Sequence, residues 1–557
     1  MPLPEELPYS DIFVGGDLLK RMERNFDRLE STPYQHPGIF KPSDHDWPGD
    51  YEGRVILGLV LLAQASHREP LYLSEIMDNL SEHVNVMGYF GPVRRDGTVD
   101  EQQLAGNSWV LRAMVEYYRW KHDGLSYRII QNTVENLLWP VNGFYSAYPS
   151  DRRLQTEGGP AGQLLGHPAG RWLLSTDVGC AFILLDGATA AYQIVPDPKL
   201  KRLIEEMVQR FAKIEPQALS MQTHATLSAA RGILRHYEIS GDPSSLSLAE
   251  RTYRIYTEHA LTPNYANYNW FGRPQWTEAC AIIDSFMLAV QLWKHTQCAH
   301  YLDDAHKIYF NAISYAQRPN GGFGCDFCVG PTRYSLEPLR TAFEASWCCT
   351  MRGGEGLARA TQYTWFMEKN HITLPFYHNG IARIALSTGQ ITIRQTTRYP
   401  IDGAIRLEVL QSSIVEETTV NLYIPEWVED NRVSLTLNGA QQSIVMINRF
   451  IAITKRFQPG DIVQLIFPIP LLKVTSITHP QRAWSLWHGS LLLGVNAPPG
   501  DVLISSSETF IPLENAFYRT QESRALLGPI TDLYLTNTES AVVDRRQVWF
   551  PMIMSDR

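Results

Sequence analysis

No stretch of this sequence comes near the roughly 18 consecutive apolar residues that a membrane-spanning helix needs, so no membrane partner is expected. No basic block or stripe is present either. Lys and Arg number 49 against 58 Asp and Glu, a net charge of −9, which argues against nucleic acid as a partner. The opening segment, MPLPEELPYSDIFVGG, lacks a charged n-region followed by an apolar core, and no signal peptide is expected. Cysteine is scarce, with seven in 557 residues. In a large chain without an export signal, that scarcity argues against a disulfide framework. It points to reduced thiols in a reducing compartment, hence a cytoplasmic location. Composition excludes disorder as well, with 44% hydrophobic and 19% charged residues.

The length suits about three domains, or one large domain with an appendage. From about Ser10 to about Thr364 the pattern is mostly helical. Val110, Ala113, Met114 and Tyr117 recur at helix spacing, as do Leu227, Ala230, Leu234 and Tyr237, and Ile282, Phe286, Ala289 and Trp293. Long loops rich in Gly, Pro and aromatics separate these runs, among them 159–170 and 263–276. No fixed-period repeat stands out; many antiparallel helices with long loops at one end suit an α/α toroid. After about Phe366 the period becomes two. ITIRQTTRY (391–399), TTVNLYIP (418–425), VSLTLNG (433–439) and IVQLIFPIP (462–470) read as strands, with turns at Asn438-Gly439 and Pro459-Gly460-Asp461. The expectation is a mainly α part over 1–368, then an all-β part over 369–557, a β-sandwich region whose strands are free to return to the helical part.

The cysteines are unevenly placed. Six of the seven lie between Cys280 and Cys349, with the densest features at WTEAC (276–280), CDFC (325–328) and WCCT (347–350). Thiolates are preferred zinc ligands, and a carboxylate can complete the set. Cys180 and Cys298 stand alone and read as buried small hydrophobes. Two ligand sets fit the rest. Cys325, Cys328, Cys348 and Cys349 would make a four-thiolate structural site. Glu278, Cys280, Cys348 and Cys349 would serve equally, with Glu278 and Cys280 at a helix start capped by Thr277, where free N–H groups favour anions.

The pair WTEACA (276–281) and WCCTMR (347–352), in that order, resembles the zinc-binding signature of glycoside hydrolase family 127, the β-L-arabinofuranosidase-type enzymes. QTHATLSAARGILRHYEISGD (222–242) resembles the family's helix that opens on a substrate-facing His. YPIDG (399–403), LYIPEW (422–427), LNG (437–439) and PGD (459–461) follow the family's sandwich. The resemblance covers about residues 45–500. It implies an (α/α)6 barrel followed by a β-sandwich, and Zn2+ held by Glu278, Cys280, Cys348 and Cys349. Cys348 would be the nucleophile of a retaining glycoside hydrolase that releases a terminal sugar from an oligo- or polysaccharide. It further implies sugar contacts from His224, with Asn107 and Asp177 at or beside positions where the family carries His. Tyr268, Trp270 and Trp276, in the loop before the zinc element, suit a sugar-stacking wall or, equally, packing beneath that loop.

The sequence departs from the family at the acid/base. The loop Leu261–Thr277, where the family places a Glu, contains no Glu or Asp, which leaves Glu258 as the first candidate and Glu344 as the second. Thr350-Met351-Arg352 also replaces the family's proline-rich residues after the double cysteine. Two rival readings stand beside this one: a polysaccharide lyase using Tyr268 with His224, and a carbohydrate-binding protein with structural zinc. Homodimer formation is left open.

Overall fold

The computed structural model describes residues 3–42, 46–155, 167–330, 333–476, 483–496, 501–531 and 545–552. The loop singled out at 159–170 lies outside the described residues as far as residue 166.

The longer helices are α1 (Gly16–Leu29), α2 (Asp50–Ser66), α3 (Leu73–Asn79), α4 (Glu101–Lys121), α5 (Gly124–Thr133), α6 (Leu184–Ile194), α7 (Pro198–Phe211), α8 (Thr223–Ser240), α9 (Pro243–His259), α10 (Ala279–Thr296), α11 (His300–Lys307) and α12 (Cys349–Gln362). Odd and even helices differ in kind. The even ones are buried nearly all round: α2 covers every residue from Tyr51 to Ala63, and α10 every residue from Ala279 to Val290. A helix apolar all round belongs inside. The odd ones are amphipathic. In α7 only Leu200, Leu203, Ile204, Met207, Val208 and Phe211 are buried, the three-and-four spacing of a single inward stripe. The even helices pack in cyclic order, α2 on α4, α4 on α6, α6 on α8, α8 on α10, α10 on α12 and α12 back on α2, while the odd helices lie against their even neighbours. All three apolar runs read from the sequence fall on inner helices.

Small residues let the inner helices approach closely. A Cβ on Gly53 of α2 would lie 2.4 Å from the backbone of Trp109 in α4, and one on Gly232 of α8 would lie 2.4 Å from the carbonyl carbon of Leu185 in α6.

Past α12 the chain turns to strands, and the period-two reading holds. Along Gly389–Thr397, Ile391, Ile393, Gln395 and Thr397 are buried while the residues between them are not. One sheet runs in the order 440–441, 434–437, 462–466, 404–412, 389–397, 380–386 and 12–14; a second runs 5–6, 366–368, 371–374, 418–423, 450–455 and 446–447. Each sheet thus takes a strand from the start of the chain, with Glu5 opposite Met367 and Val14 opposite Gly380. The segment around Ser10, expected to begin the helical pattern, instead holds the strand Ile12–Val14. Trp293 of α10 meets Phe366 and Phe450 at ring distances of 5.1 and 5.8 Å, so helices and sheets share one apolar core.

A third sheet gathers the C-terminal strands and reaches back. Arg546 pairs with Leu336, and 335–338 pairs with Asp326–Phe327 between the two cysteines of CDFC. No helix among the described residues is long and apolar enough to cross a membrane.

Gly232→Ala forces a methyl group against the Leu185 backbone. It is expected to cost about 1–3 kcal/mol, measured by denaturant unfolding; undiminished stability would contradict the close α6–α8 approach.

Candidate functional site

The inner helices begin at a common end, and five of the six contribute to one cavity of about 430 Å³. Asp50, Tyr51 and Arg54 come from the first turns of α2, and Gln222 and His224 from the start of α8. Glu278 caps α10 and Cys348 caps α12, while Asp177 and Ile183 line it from the segment that leads into α6. Each helix start points unpaired N–H groups and a positive dipole end toward this space, so anionic side chains are favoured there. Trp47, Trp276 and Trp347 add indole walls; Trp347, 44% exposed, sits at the rim next to Cys348.

The side chains of Glu278, Cys280, Cys348 and Cys349 bring one ligand atom each to within 4.8 Å of one another, all buried. The sulfurs of Cys280 and Cys349 are 3.9 Å apart, those of Cys348 and Cys349 3.5 Å, and Cys348 Sγ is 3.9 Å from Glu278 Oε1. A tetrahedral zinc site with Zn–S near 2.3 Å has ligand–ligand edges of about 3.8 Å, so the donor set and its spacing fit a zinc-sized cation. Charge says the same. Burial pushes Glu278 and the Cys280 thiol well above their ordinary ranges. Cys349, on which the thiols of Cys280, Cys325 and Cys348 converge, is held well below its own. Four such groups cannot all ionise together unless a dication compensates them. Arg54 helps from outside the set, its Nη1 lying 3.5 Å from Cys280 Sγ while its Nε donates to Asp50 at 2.9 Å.

Beneath the cluster lies a buried charge network. Asp284 receives Ser228 Oγ at 2.9 Å, Arg231 Nη1 at 2.8 Å and Arg352 Nη2 at 2.5 Å, and lies 2.6 Å from His224 Nδ1. Burial alone would raise this carboxyl; Arg352, His224 and Arg231 instead hold it well below the carboxylate range. The partners also fix the His224 tautomer. Nε2 lies 3.3 Å from Arg54 Nη2, which can only donate, so Nε2 accepts and Nδ1 carries the proton toward Asp284. Burial lowers the His224 pKa despite the carboxylate, in keeping with a neutral ring. His224 therefore borders the cavity with both nitrogens already engaged.

Arg352 extends into the network, while Thr350 Oγ1 accepts from Phe323 N and donates to Glu344.

Several sequence expectations meet a different arrangement. Glu258 is 55% exposed, lies 3.6 Å from His259 and lines a second cavity, together with Tyr268. It cannot serve Cys348 from there, and Tyr268 with His224 does not assemble as a lyase pair. Asn107 is buried with its amide spent on Phe90 and Gln103 backbone groups, so it offers nothing to a ligand. Trp270 is buried behind Trp276, with Arg273 over its ring. Glu344 is held below the usual range by Arg28, Tyr34 and Asn320 against the effect of burial, a structural anchor rather than an acid. Thr277 binds the backbone of Asp326, and Glu278 itself stands at the helix cap. Cys328 turns to the carbonyl of Asn267, which dissolves the four-thiolate set, although Cys325 stays 4.0 Å from Cys349. Cys298 is exposed, not buried.

Asp177 does line the cavity. Its Oδ1 is buried without a hydrogen-bond partner, and burial reinforced by the charge of Asp50, against the pull of Arg54, pushes its carboxyl up to about 7. Sequence reasoning missed Asp50, Arg54, Tyr51, Gln222, Trp47 and Trp347. An i,i+4 Asp–Arg pair at the head of an apolar helix was the available signal for the first two.

The catalytic domain of β-L-arabinofuranosidase GH127 matches residues 215–362, and the GH127 middle domain matches residues 371–469. No curated protein matches the chain in sequence. Among solved structures, a GH127 β-arabinofuranosidase superposes with a TM-score of 0.72 at 14% identity, over 99% of this chain and 98% of its own. A GH127 β-L-arabinofuranosidase from Geobacillus stearothermophilus T6 does so with a TM-score of 0.72 at 14% identity, over 98% and 100%. A further glycoside hydrolase reaches 0.70 at 14%, over 99% and 98%. At this identity the superpositions speak for the fold.

Cys280→Ser is expected to lose a divalent metal that Cys325→Ser keeps, as measured by metal analysis of purified protein. Full metal in the Cys280→Ser protein would reject the ligand set. Because bound ligands must be deprotonated and Glu278 and Cys280 are raised without a cation, affinity is expected to weaken as pH falls.

Proposed function

We propose that this chain, which belongs to glycoside hydrolase family 127 and is a glycoside hydrolase, releases a terminal β-L-arabinofuranose-like sugar with retention at the anomeric carbon, using Cys348 as nucleophile. The observation that carries the reading is the position of Cys348: capping an inner helix, within the four-donor cluster, and at the wall of the only cavity that also borders that cluster among those described. The ring of six inner helices we read as an (α/α)6 barrel over about 1–368, with the β-sandwich region following and the two N-terminal strands lent to it. Zinc is the cation we assign to Glu278, Cys280, Cys348 and Cys349. When bound, it supplies the charge that keeps the thiols as thiolates at neutral pH. Unpaired thiols of this kind suit a reducing compartment.

For the second catalytic group we turn to Asp177, since Glu258 lines the other cavity and Glu344 is bound by Arg28, Tyr34 and Asn320. In the first step Cys348 Sγ attacks the anomeric carbon. The glycosidic C–O bond breaks, and its electron pair leaves with the aglycone oxygen, which takes the proton of Asp177. In the second step Asp177 accepts a proton from water, whose oxygen displaces the sulfur from the anomeric carbon and restores Cys348. A carboxyl near 7 suits both duties, being protonated often enough to act as acid and basic enough to return as base. The Asp284–His224–Arg54 chain holds the wall around Cys280, and Trp347 offers a face on which a sugar ring can stack.

Cys348→Ser is expected to lose nearly all turnover, and an electrophilic sugar mimic is expected to label Cys348 in the parent, as located by mass spectrometry. A label on a carboxylate, or inverted product by NMR, would sink the thiol mechanism.

Asp177→Asn is expected to slow hydrolysis of alkyl glycosides by roughly 10²–10⁴-fold while retaining the first step on aryl glycosides with good leaving groups. As general acid, Asp177 must be protonated in that first step, so parent activity falls as pH rises through about 7; this alkaline limb is expected to vanish in the variant. Full activity of Asp177→Asn on alkyl glycosides would remove Asp177 from the mechanism.

A further inference from the structure

The chain holds a second, larger cavity, about 760 Å³, at the seam where α9, α11, the loop 261–268, the sandwich and the C-terminal sheet meet. Its walls are aromatic: Tyr265, Tyr268, Trp427, Trp487 and Trp549 all border it. Several of these rings are fixed by their polar ends. Trp427 Nε1 donates to Ser490 Oγ at 3.0 Å, Trp487 Nε1 donates to Ser485 Oγ at 3.0 Å, and the Tyr265 hydroxyl accepts from Lys307 Nζ at 3.2 Å. Tyr265 and Trp487 meet edge to face at 5.8 Å. Tyr265 also has φ of +62°, a left-handed conformation that a bulky side chain adopts at a cost and keeps only where its surroundings enforce it. Here the enforcement is visible: its N–H bonds Thr262 O at 2.9 Å and Thr262 Oγ1 bonds Asn264 at 2.8 Å.

Charge narrows the ligand. Lys307, the cavity's cation, is neutralised by Asp303 at 2.5 Å. Glu426 is exposed and makes no hydrogen bond or ion pair among the described residues, and Glu258 has only its weak contact with His259 at 3.6 Å. Two exposed carboxylates able to accept hydrogen bonds from hydroxyl groups, set among fixed ring faces, recognise neutral sugars, whereas a uronate or phosphate polymer would meet uncompensated like charge. The volume exceeds that of the cavity at Cys348, so it suits a short run of sugars rather than one. One loop joins the two spaces: Leu261, Thr262, Tyr265 and Tyr268 face the seam, while Asn269 and Trp276 face the cavity of Cys348.

We propose that the seam cavity is a second carbohydrate site, which binds a neutral oligosaccharide segment of the substrate away from the point of cleavage. The proposal rests on the glycosidase reading for the word substrate, but not for the binding itself. The probe is a neutral L-arabinofuranose oligosaccharide of about four to six units, a length scaled to a cavity of this size, titrated calorimetrically into the full-length Cys348→Ser protein, with its metal content measured alongside because Cys348 is itself one of the assigned ligands. Saturable binding is expected. Trp427→Ala in that background is expected to weaken it about tenfold, the loss of one stacking contact. Glu258→Gln with Glu426→Gln, both exposed and safe for folding, are expected to weaken it as well. In the parent background the same changes are expected to leave kcat/KM on an aryl monoglycoside unaltered while raising KM on the oligosaccharide. Absence of saturable binding, or an affinity indifferent to all three substitutions, would overturn the proposal. An aryl monoglycoside left uncleaved by the parent would instead overturn the glycosidase substrate assigned above, with the binding result still readable on its own.

Discussion

Everything at the centre of this molecule depends on one electrostatic constraint: the inner helices all begin at the same end. The positive dipole ends and unpaired N–H groups of five of them meet around a single cavity, and acidic residues and thiols collect there in response. Glu278 and Cys348 stand in cap positions, and Asp50 and Cys349 follow in first turns. That concentration of anions must itself be compensated. Arg54, from the head of α2, does part of this from outside the donor set, and one turn deeper Arg231 and Arg352 clasp Asp284, which leaves the four donors themselves to a bound cation. Breaking such a buried set by removing one partner costs several times what an exposed pair contributes.

The parts legible in the sequence were those with a local signature. The inner helices announce themselves by apolar runs at helix spacing, the strands by alternation, and the donor cluster by two short motifs whose residues lie adjacent or two apart. What escaped was set by tertiary placement. Glu258 reads as the nearest carboxylate upstream of the loop, yet α9 ends with it on the far side of that loop, in the seam. Asn107 sits mid-helix, where its amide is taken up by Phe90 of another segment. Thr277 has the composition of a cap, but the strand at Asp326 claims its hydroxyl and its N–H. In each case a residue type suited to chemistry was drawn into a backbone hydrogen bond or a distant surface by a segment far away in the chain, and no window of sequence contains both partners.

Thr350 and Arg352, just after the double cysteine, are both put to structural use. Thr350 ties the start of α12 to Phe323 and Glu344, and Arg352 joins the buried network. The loop without acidic residues is bordered by another carboxyl, Asp177, which enters the same cavity from the segment before α6.

The pairing of the first strands with late ones governs how this chain can be made. Glu5 needs Met367 and Val14 needs Gly380, so the start of the chain leaves the ribosome long before either partner exists. The ring, likewise, closes only when α12 returns to α2. Such non-local closure is slow to form, and until it completes, the sheet edges and apolar faces awaiting those segments stay open to other molecules. The nascent chain is therefore at its most vulnerable for most of its synthesis. Cutting the coding sequence at the helix-to-strand change would leave each half lacking an edge that the other supplies.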